Sequence, residues 1–420
     1  MTIGRRGFLA ASALGTAVLG AGVASADPSK AFNHGGGSVP GADVLAQQGW
    51  SALAGKRVGV VSNPTGILGD GTHIVDSMVA AGVKPVAAFG PEHGFRGTSQ
   101  AGGSEGDYND PRTGIPVYDA YGATATKLAG MYTKAGVDTV VFDIADVGAR
   151  FYTYIWTLYT AMKAAAAVGA AVVVLDRGNP IGGEADGPML DPAFSSGIGL
   201  KPIVQKHGMT VGELARYYNG EFLPSDGGAV TSLSVVQARG WRRDQFFSET
   251  DRLWVPPSPN MPTERTALVY PGLCLFEGTI LSEGRGTTRP FETIGAPNID
   301  WRWSEALNAM QLPGVRFREA YFAPTFSKFV GQACGGVQVH ITDERRFEAI
   351  RSAVAMIVTC KQLYPGIFAW RPDNYIDKLS GSARLRTMVD AGASVDEVVG
   401  AWQAELAQFR QRRRQYLLYR

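Results

Sequence analysis

The sequence predicts an α/β protein with a parallel-sheet N-terminal domain and a smaller α+β C-terminal domain. Short, continuously apolar runs alternate with helical patterns through residues 56–180, which is typical of a parallel sheet covered by helices on both faces. A proline-rich segment at 254–272 then interrupts the alternation. Beyond that segment the patterns change to half-buried strands and amphipathic helices.

The first half can be assigned element by element. Its predicted strands share an unbroken apolar core and end in a turn or a polar cluster; they are 56–64, 84–90, 138–144 and 170–180. Helices are predicted between them from apolar positions at helical spacing. One carries Ile74, Val75, Met78 and Val79, one ends at Gly136, and one spans 153–169.

The second half has a different character. Residues 335–343 alternate apolar and polar side chains and predict a half-buried strand, while 344–365 and 393–417 predict amphipathic helices. We place the domain boundary in the proline-rich segment, so that the first domain covers 51–258 and the second covers 259–420.

Composition excludes some classes of protein. The chain has 40 basic and 38 acidic residues, and this near balance argues against a dedicated nucleic-acid binder. Three widely spaced cysteines form neither a disulfide framework nor a zinc pattern, which leaves one bridge or core thiols as alternatives. The basic stretch 409–420 is expected to be a solvated helix end.

The N-terminus has the pattern of an export signal. Arg5 and Arg6 precede a mildly apolar stretch rich in small residues, which closes with the small-x-small sequence Ala24-Ser25-Ala26. We expect a twin-arginine signal peptide over 1–26, export of the chain out of the cytoplasm, and no stable membrane anchor. A polar, glycine-rich segment follows at 27–50.

Polar side chains follow all four predicted strands of the first half. Ligands of open α/β sheets bind beyond the carboxyl ends of the strands, so we expect these side chains to meet at one edge. The candidates are Asn63 after the first strand, Glu92, His93 and Arg96 after the second, Asp143, Asp146, Arg150 and Tyr154 after the third, and Asn179 after the fourth.

Several kinds of site can be compared at that edge. Neither a G-x-G-x-x-G turn nor a P-loop is present, so nucleotide binding is not expected, and no cofactor is predicted. A cation held by His93, Asp143 and Asp146 remains an alternative. Glu92 lies between Pro91 and Gly94, in a stiff turn that presents an acid. Two carboxyl groups suit glycoside hydrolysis, but sequence does not give their separation.

A second polar cluster lies at 277–292. It places Glu283, Arg285 and Arg289 among glycines and threonines. Arginines in such a loop suit the recognition of a carboxylate. A solvent loop with surface ion pairs is the alternative.

Segments across the chain resemble a known family. They include "GPEHGFRG", "FDIADVGARFYTYIWTLYTAM", "LDRGNPIGG", "PPSPNMPT" and "YPGLCLFEGTILSEGRGTTRPFE". These are similar to the exo-acting β-N-acetylmuramidases, a family formerly catalogued as a domain of unknown function. The resemblance implies a Rossmann-like N-terminal domain, a C-terminal domain that completes a cleft, and a catalytic glutamate in the "PEHG" motif, which here is Glu92.

The resemblance also implies a substrate. Members of the family remove N-acetylmuramic acid from the non-reducing ends of peptidoglycan fragments. The lactyl carboxylate of that sugar would then be held by Arg285 or Arg289, and its acetamido group by Asn179 or Asn260.

The roles at the reaction centre are less fully assigned. Glu92 would be the general acid, and Asp143 or Asp146 would be the base, the nucleophile or the group that orients the acetamide. The alternatives are a non-catalytic binder of muropeptides or sugars, and a metal-dependent hydrolase that uses His93, Asp143 and Asp146. Oligomeric state stays open.

Overall fold

The computed structural model describes residues 37–100 and 102–420. The predicted signal peptide and residues 27–36 lie outside this range. The strands are β1 Val58–Ser62, β2 Ala87–Gly90, β3 Tyr108–Asn109, β4 Pro116–Asp119, β5 Thr139–Asp143, β6 Ala171–Leu175, β7 Asp186–Met189, β8 Val204–Lys206, β9 Leu233–Val236, β10 Thr293–Ala296, β11 Val315–Phe322 and β12 Cys334–Ile341.

Twelve α-helices accompany these strands in the described residues. They are α1 Gly41–Gln47, α2 Ile74–Ala80, α3 Ala125–Ala135, α4 Tyr154–Val168, α5 Val211–Glu221, α6 Glu264–Leu273, α7 Arg302–Ala309, α8 Ala349–Leu363, α9 Tyr375–Ser380, α10 Arg384–Asp390, α11 Val395–Gly400 and α12 Gln403–Arg413.

The main sheet has seven strands in the order β3-β4-β2-β1-β5-β6-β9. All its pairings are parallel except that of the short edge strand β3 with β4. Strand β1 is central: Val60 pairs with Ala88 of β2 on one side and with Val141 of β5 on the other. The chain therefore leaves β1 in one direction and returns at β5 in the other, which makes the carboxyl ends of these strands the expected binding edge.

The predicted α/β class is confirmed, and so are the main elements of the first half. Strands β1, β2, β5 and β6 fall within the four predicted apolar runs. Helix α3 begins after Thr124, whose hydroxyl accepts from the Lys127 amide, and ends at Gly136. Gly136 has a φ of 68°, the left-handed conformation that glycine adopts without a Cβ clash.

Helix α6 occupies the second half of the proline-rich segment, for which no helix or strand was predicted. Thr263 caps this helix by accepting from the Thr266 amide. Pro271 lies near its end, where the missing amide interrupts little of the helix. A Cβ on Gly272 would lie 2.0 Å from the Ala349 carbonyl, so glycine permits the close packing of α6 on α8. The domain boundary itself stays a prediction.

The C-terminal part contains an antiparallel sheet of order β10-β12-β11, as the alternating pattern indicates. The predicted helix over 393–417 is divided into α11 and α12, with a break at Ala401 and Trp402. Residues 37–100 and 102–420 belong to one compact unit. Cys274, Cys334 and Cys360 are buried free thiols. None of the helices in the described range has the length and apolarity that a membrane span requires.

Candidate active site

Glu92 lies just past the carboxyl end of β2, where a tight turn holds it. The next residue, His93, has a φ of 71°, and the Gly94 amide donates to the Pro91 carbonyl at 2.9 Å. The Glu92 carboxylate is partly exposed. Its Oε1 accepts from the Gly102 amide at 2.9 Å, and its Oε2 accepts from the Thr153 hydroxyl at 3.0 Å.

Thr153 brings α4 into the site. It is the residue before the helix, but its hydroxyl binds Glu92 instead of capping the helix amides. Tyr154, the first residue of α4, donates to the Pro257 carbonyl at 2.7 Å and lies 3.3 Å from the Glu92 carbonyl. Glu92 is thus fixed between the loop after β2 and the start of α4.

Tyr152 is a buried tyrosine two residues before α4. Burial raises the pKa of Tyr152 well above its ordinary value, and the charges of Asp146 and Glu92 raise it further. Both carboxylates are therefore within electrostatic reach of one buried hydroxyl. Asn63, at the end of β1, is fully buried, and its Nδ2 has no hydrogen-bond partner within the described residues.

Asp146 has one carboxylate oxygen without a hydrogen-bond partner among the described residues. It follows β5 and is 7% exposed. Its Oδ2 accepts from the Gly148 amide at 2.8 Å and pairs with His207 Nε2 at 3.0 Å. Its buried Oδ1 has no partner among residues 37–100 and 102–420. A carboxylate oxygen without a protein partner can accept from a substrate.

Asp143 is placed differently. It is fully buried, and Arg177 binds both its oxygens, with 2.5 Å from Nε to Oδ1 and 2.7 Å from Nη2 to Oδ2. This bidentate ion pair connects β5 to the loop after β6. Of the two aspartates proposed for the reaction, Asp146 therefore has the better geometry, while the assignment of either stays a prediction.

A cavity of about 80 Å³ lies beyond the carboxyl ends of β1, β5 and β6. Its floor includes Thr65, Asp146, Arg177 and Asn179, and its outer wall comes from the segment 241–257. Glu92 does not line it, but Pro257 does, and Tyr154 connects the carbonyls of these two residues. The cavity and Glu92 are therefore neighbours.

Three of the predicted strand-end residues have their polar groups bound within the protein. Nδ1 of His93 lies 3.0 Å from the Ser99 carbonyl. Arg96 forms ion pairs with Asp76 at 2.9 Å and Asp110 at 2.8 Å. Arg150 is fully buried and donates to the carbonyls of Pro188, Ile203 and Leu379.

The two asparagines proposed for the acetamide occupy different positions. Asn179 lines the cavity, but its Nδ2 donates to the Met209 carbonyl and its Oδ1 accepts from the Ile181 amide. Asn260 is buried three residues after Pro257, in the segment that Tyr154 contacts. Neither assignment is tested by these positions.

The 277–292 cluster forms a network of ion pairs. Arg285 contacts Glu277 at 2.6 Å and Glu283 at 3.3 Å, and Lys328 contacts Glu283 at 2.8 Å. Arg289 pairs with Glu292 at 3.2 Å, and half of its side chain is exposed. Two aromatic rings, Phe291 and Tyr270, connect Arg285 to Tyr152 through successive contacts.

The structure does not assemble the proposed metal site. Asp143 is bound to Arg177, Asp146 to His207, and His93 lies against a backbone carbonyl. In the part of the chain that is described, no three His, Cys, Asp or Glu side chains are grouped as metal ligands. The metal-dependent alternative therefore has no geometric support here.

Sequence reasoning missed two side chains of this site. Thr153 binds Glu92, and His207 orients Asp146. Thr153 directly precedes α4 and offered a signal, because residues before a helix on a sheet edge reach the ligand side. His207 directly follows β8, outside the main sheet, and no local pattern connects it with Asp146.

Known proteins resemble this chain along most of its length. The family model described as "Exo-beta-N-acetylmuramidase NamZ, N-terminal" matches residues 58–265, and its C-terminal counterpart matches 268–419. The peptidoglycan beta-N-acetylmuramidase NamZ of Bacillus subtilis (strain 168) is 45% identical over 383 residues, which cover 90% of this chain and 91% of the relative.

Solved structures show the same likeness. Two crystal structures of DUF1343 family proteins from Bacteroides fragilis NCTC 9343 are each 32% identical to this chain. They superpose with TM-scores of 0.83 and 0.74, and each covers 91% of this chain and 99% of its own.

Proposed function

Because this chain belongs to the NamZ family of exo-β-N-acetylmuramidases, we propose that it releases N-acetylmuramic acid from the non-reducing ends of peptidoglycan fragments. Its class is that of the glycoside hydrolases, with peptidoglycan as the substrate polymer. Glu92 is the proposed general acid, which protonates the oxygen of the departing sugar.

The observation that carries the role of Glu92 is its position. It lies at the carboxyl end of β2, partly exposed, and both carboxylate oxygens are oriented by donors from two other segments, Gly102 and Thr153. A general acid has to be held in a fixed direction and has to reach solvent or substrate. Each oxygen has a second lone pair, so a substrate can be bound while both donors stay in place.

Asp146 is the proposed second carboxylate. Its Oδ2 is held by two donors, so Oδ1 points in a defined direction. Such a group can activate water, attack the sugar, or orient the acetamide, and these roles stay open. Peptidoglycan-derived sugars supply the hydroxyl and amide donors that a free carboxylate oxygen requires.

The test of Glu92 is hydrolysis of a chromogenic β-N-acetylmuramide. We expect Glu92→Gln to lower kcat by at least about 100-fold, since general acid catalysis contributes roughly 10²–10⁴-fold. The matched control is Glu184→Gln, because that side chain is 82% exposed. Equal activity of wild type and Glu92→Gln would remove Glu92 from the mechanism. Binding without turnover by the wild type would favour the non-catalytic sugar binder.

Export by the twin-arginine route completes the proposal. Peptidoglycan lies outside the cytoplasmic membrane, and Arg5 and Arg6 precede a stretch of signal-peptide character. Expression of the full chain with Arg5→Lys and Arg6→Lys together should keep the protein in the cytoplasmic fraction. Unchanged export of this double variant would contradict the route.

A further inference from the structure

We infer, on the premise of the proposed function, that Arg252 determines specificity by binding the lactyl carboxylate of N-acetylmuramic acid. Arg252 lines the cavity that Asp146 also lines. The lactyl group is what distinguishes N-acetylmuramic acid from N-acetylglucosamine, so a muramidase needs a residue that recognises it.

The size of the cavity fits a substituent better than a whole sugar. A cavity of about 150 Å³ holds benzene, and this one measures about 80 Å³. The space is partly open to solvent and about half as large, so it fits a carboxylate and the carbon that bears it more closely than a whole pyranose ring. The ring would lie outside, towards Pro257 and Glu92, with one substituent inserted.

Arg252 has donors to offer. Its Nε donates to the Ser38 carbonyl at 2.7 Å. Asp43 is 3.6 Å from its Nη1, which is an ion pair but too long for a hydrogen bond. Among residues 37–100 and 102–420, Nη1 and Nη2 of Arg252 have no hydrogen-bond partner within 3.5 Å. A planar guanidinium can bind a carboxylate through two parallel bonds.

Both basic and acidic side chains line the cavity: Arg177 and Arg252, and Asp43 and Asp146. Burial lowers the pKa of Arg252, the Asp43 charge opposes this shift, and the Arg177 charge adds to it. An anionic oxygen beside Arg252 would therefore favour its charged form, as Asp43 does. Asp146 lines the cavity too and can accept from a hydroxyl or amide of the same sugar.

Gly69 makes the position of the guanidinium possible. A Cβ at residue 69 would lie 2.4 Å from Arg252 Nη1 and 3.2 Å from Asp43 Oδ1. The Gly69 amide also donates to Asp43 Oδ1 at 2.8 Å, which holds that carboxylate to one side. Gly69→Ala should therefore displace the guanidinium without removing its charge.

The arginines of the 277–292 cluster are less suitable. Arg285 is shared by Glu277 and Glu283 and lies over the Phe291 ring. Arg289 is half exposed and lines a separate depression with Arg265 and His340. Protein carboxylates lie closer to these two guanidinium groups, at 2.6 Å for Arg285 and 3.2 Å for Arg289, than the 3.6 Å that separates Asp43 from Arg252.

The test compares N-acetylmuramic acid with its lactyl methyl ester, which keeps the shape and loses the charge. Calorimetric titration should show the acid binding the wild type about 10- to 100-fold more tightly than the ester, as expected for a hydrogen bond to a charged group. In Arg252→Gln this preference should fall below about 3-fold. Arg285→Gln and Arg289→Gln are the matched controls and should keep it.

Gly69→Ala is a second variant, which keeps the inference testable if Arg252→Gln does not fold. It should weaken the preference for the acid while the ester binds as before. Full preference in a folded Arg252→Gln, or its loss in Arg285→Gln, would overturn the inference. Equal binding of the acid and the ester to the wild type would overturn the role of Arg252 but leave the proposed function standing. Binding of neither, with no hydrolysis, would overturn the proposed function as well.

Discussion

His207 holds Asp146 through a hydrogen bond of 3.0 Å between Nε2 and Oδ2. The other ring nitrogen, Nδ1, accepts from the Met209 amide at 3.2 Å, so the proton is on Nε2 and His207 is the donor. Arg413 donates to the His207 carbonyl at 2.8 Å and fixes the backbone of this residue. The candidate site is therefore oriented in part by the C-terminal helix α12.

His207→Gln should reduce catalysis by at least about 10-fold, because a displaced positioning group misaligns the reacting atoms. The measurement is kcat/KM as a function of pH, since loss of the donor to Asp146 should move the profile as well as lower it. His340→Gln, on the exposed side of β12, is the control. An unchanged pH profile would show that His207 is structural only.

His73 should make the protein sensitive to acid. It is 7% exposed, its Nδ1 accepts from the Val75 amide, and Nε2 lies 3.2 Å from the Asn63 carbonyl. Burial lowers the pKa of His73 to about 4, and the Arg96 charge contributes. Since the unfolded group titrates near pH 6.5, its stabilising contribution is complete above that pH and is lost as pH falls through 4.

The size of this effect is about 3 kcal/mol in the free energy of unfolding, from linkage. Urea unfolding between pH 7 and pH 4 measures it. His73→Gln should flatten the decline over this window relative to the wild type. Parallel pH curves for the two proteins would contradict the assignment.

Tyr419→Phe should release the C-terminal tail from the sheet. The Tyr419 hydroxyl donates to Asp176 Oδ2 at 2.5 Å and accepts from the Ala238 amide at 2.9 Å. We expect a loss of about 1.5–3 kcal/mol in unfolding free energy, as for hydrogen bonds to charged groups. Tyr416→Phe, whose hydroxyl binds the partly exposed Glu221, is the control and should cost less.

The loss in Tyr419→Phe should also depend on pH. Burial raises the pKa of Asp176 to about 6, while the Tyr419 hydroxyl opposes the shift. A raised folded pKa means that the Asp176 contribution is complete below about pH 4 and is lost as pH rises through 6. The Tyr419 hydroxyl stabilises the charged form of Asp176, which predominates above pH 6. Tyr419→Phe should therefore lower the free energy of unfolding more at pH 8 than at pH 5. An equal loss at both pH values would contradict this.

Arg413 and Arg414 should behave very differently although they are neighbours. Arg413 is 6% exposed and donates to the carbonyls of His207, Gly208 and Gly183. Arg413→Ala removes the donor from the His207 and Gly183 carbonyls, while Gly208 keeps its bond from Arg243, and should cost about 3 kcal/mol or more. Arg414 is exposed, and its substitution by alanine should stay within about 0.5 kcal/mol. Thermal unfolding distinguishes the two, and equal effects would contradict the assignment.

These arginines also show what sequence could and could not predict. The parallel strands follow from apolar runs, because burial on both faces leaves a continuous pattern. The expected solvated end at 409–420 is wrong for Arg413, since a basic run does not reveal which of its members turns inward. Helix α6 was missed because proline, which ends many helices, is tolerated near the last turn.

For the candidate site, the edge of the sheet was predictable from the sequence, but the hydrogen-bond and ion-pair partners were not. Strand ends brought Glu92, Asp146 and Asn63 to one edge, as topology requires. The partners of each side chain were not predictable, because they come from distant segments: Asp143 is bound by Arg177, and Arg96 is bound by Asp76 and Asp110. Arg252 lies in a segment without strand or helix and had no pattern to single it out.

Asp143 and Asp146 provide the clearest separation of stability from activity. Asp143→Asn removes the charge that pairs with Arg177, whose side chain is 14% exposed. Breaking a buried pair by removing one partner costs about 3–5 kcal/mol. Asp146→Asn keeps a carbonyl oxygen for the Gly148 amide and His207 but loses the charged oxygen. We therefore expect stability near the wild type and a fall in kcat of about 100-fold or more.

Urea unfolding and chromogenic assays on both variants test this contrast. Because Asp143 binds Arg177 and Asp146 lines the cavity, each variant is the control for the other. If Asp146→Asn retained wild-type kcat while Asp143→Asn, still folded, lost it, the roles assigned to the two aspartates would be reversed. If both lost only stability, neither aspartate would be the second catalytic group.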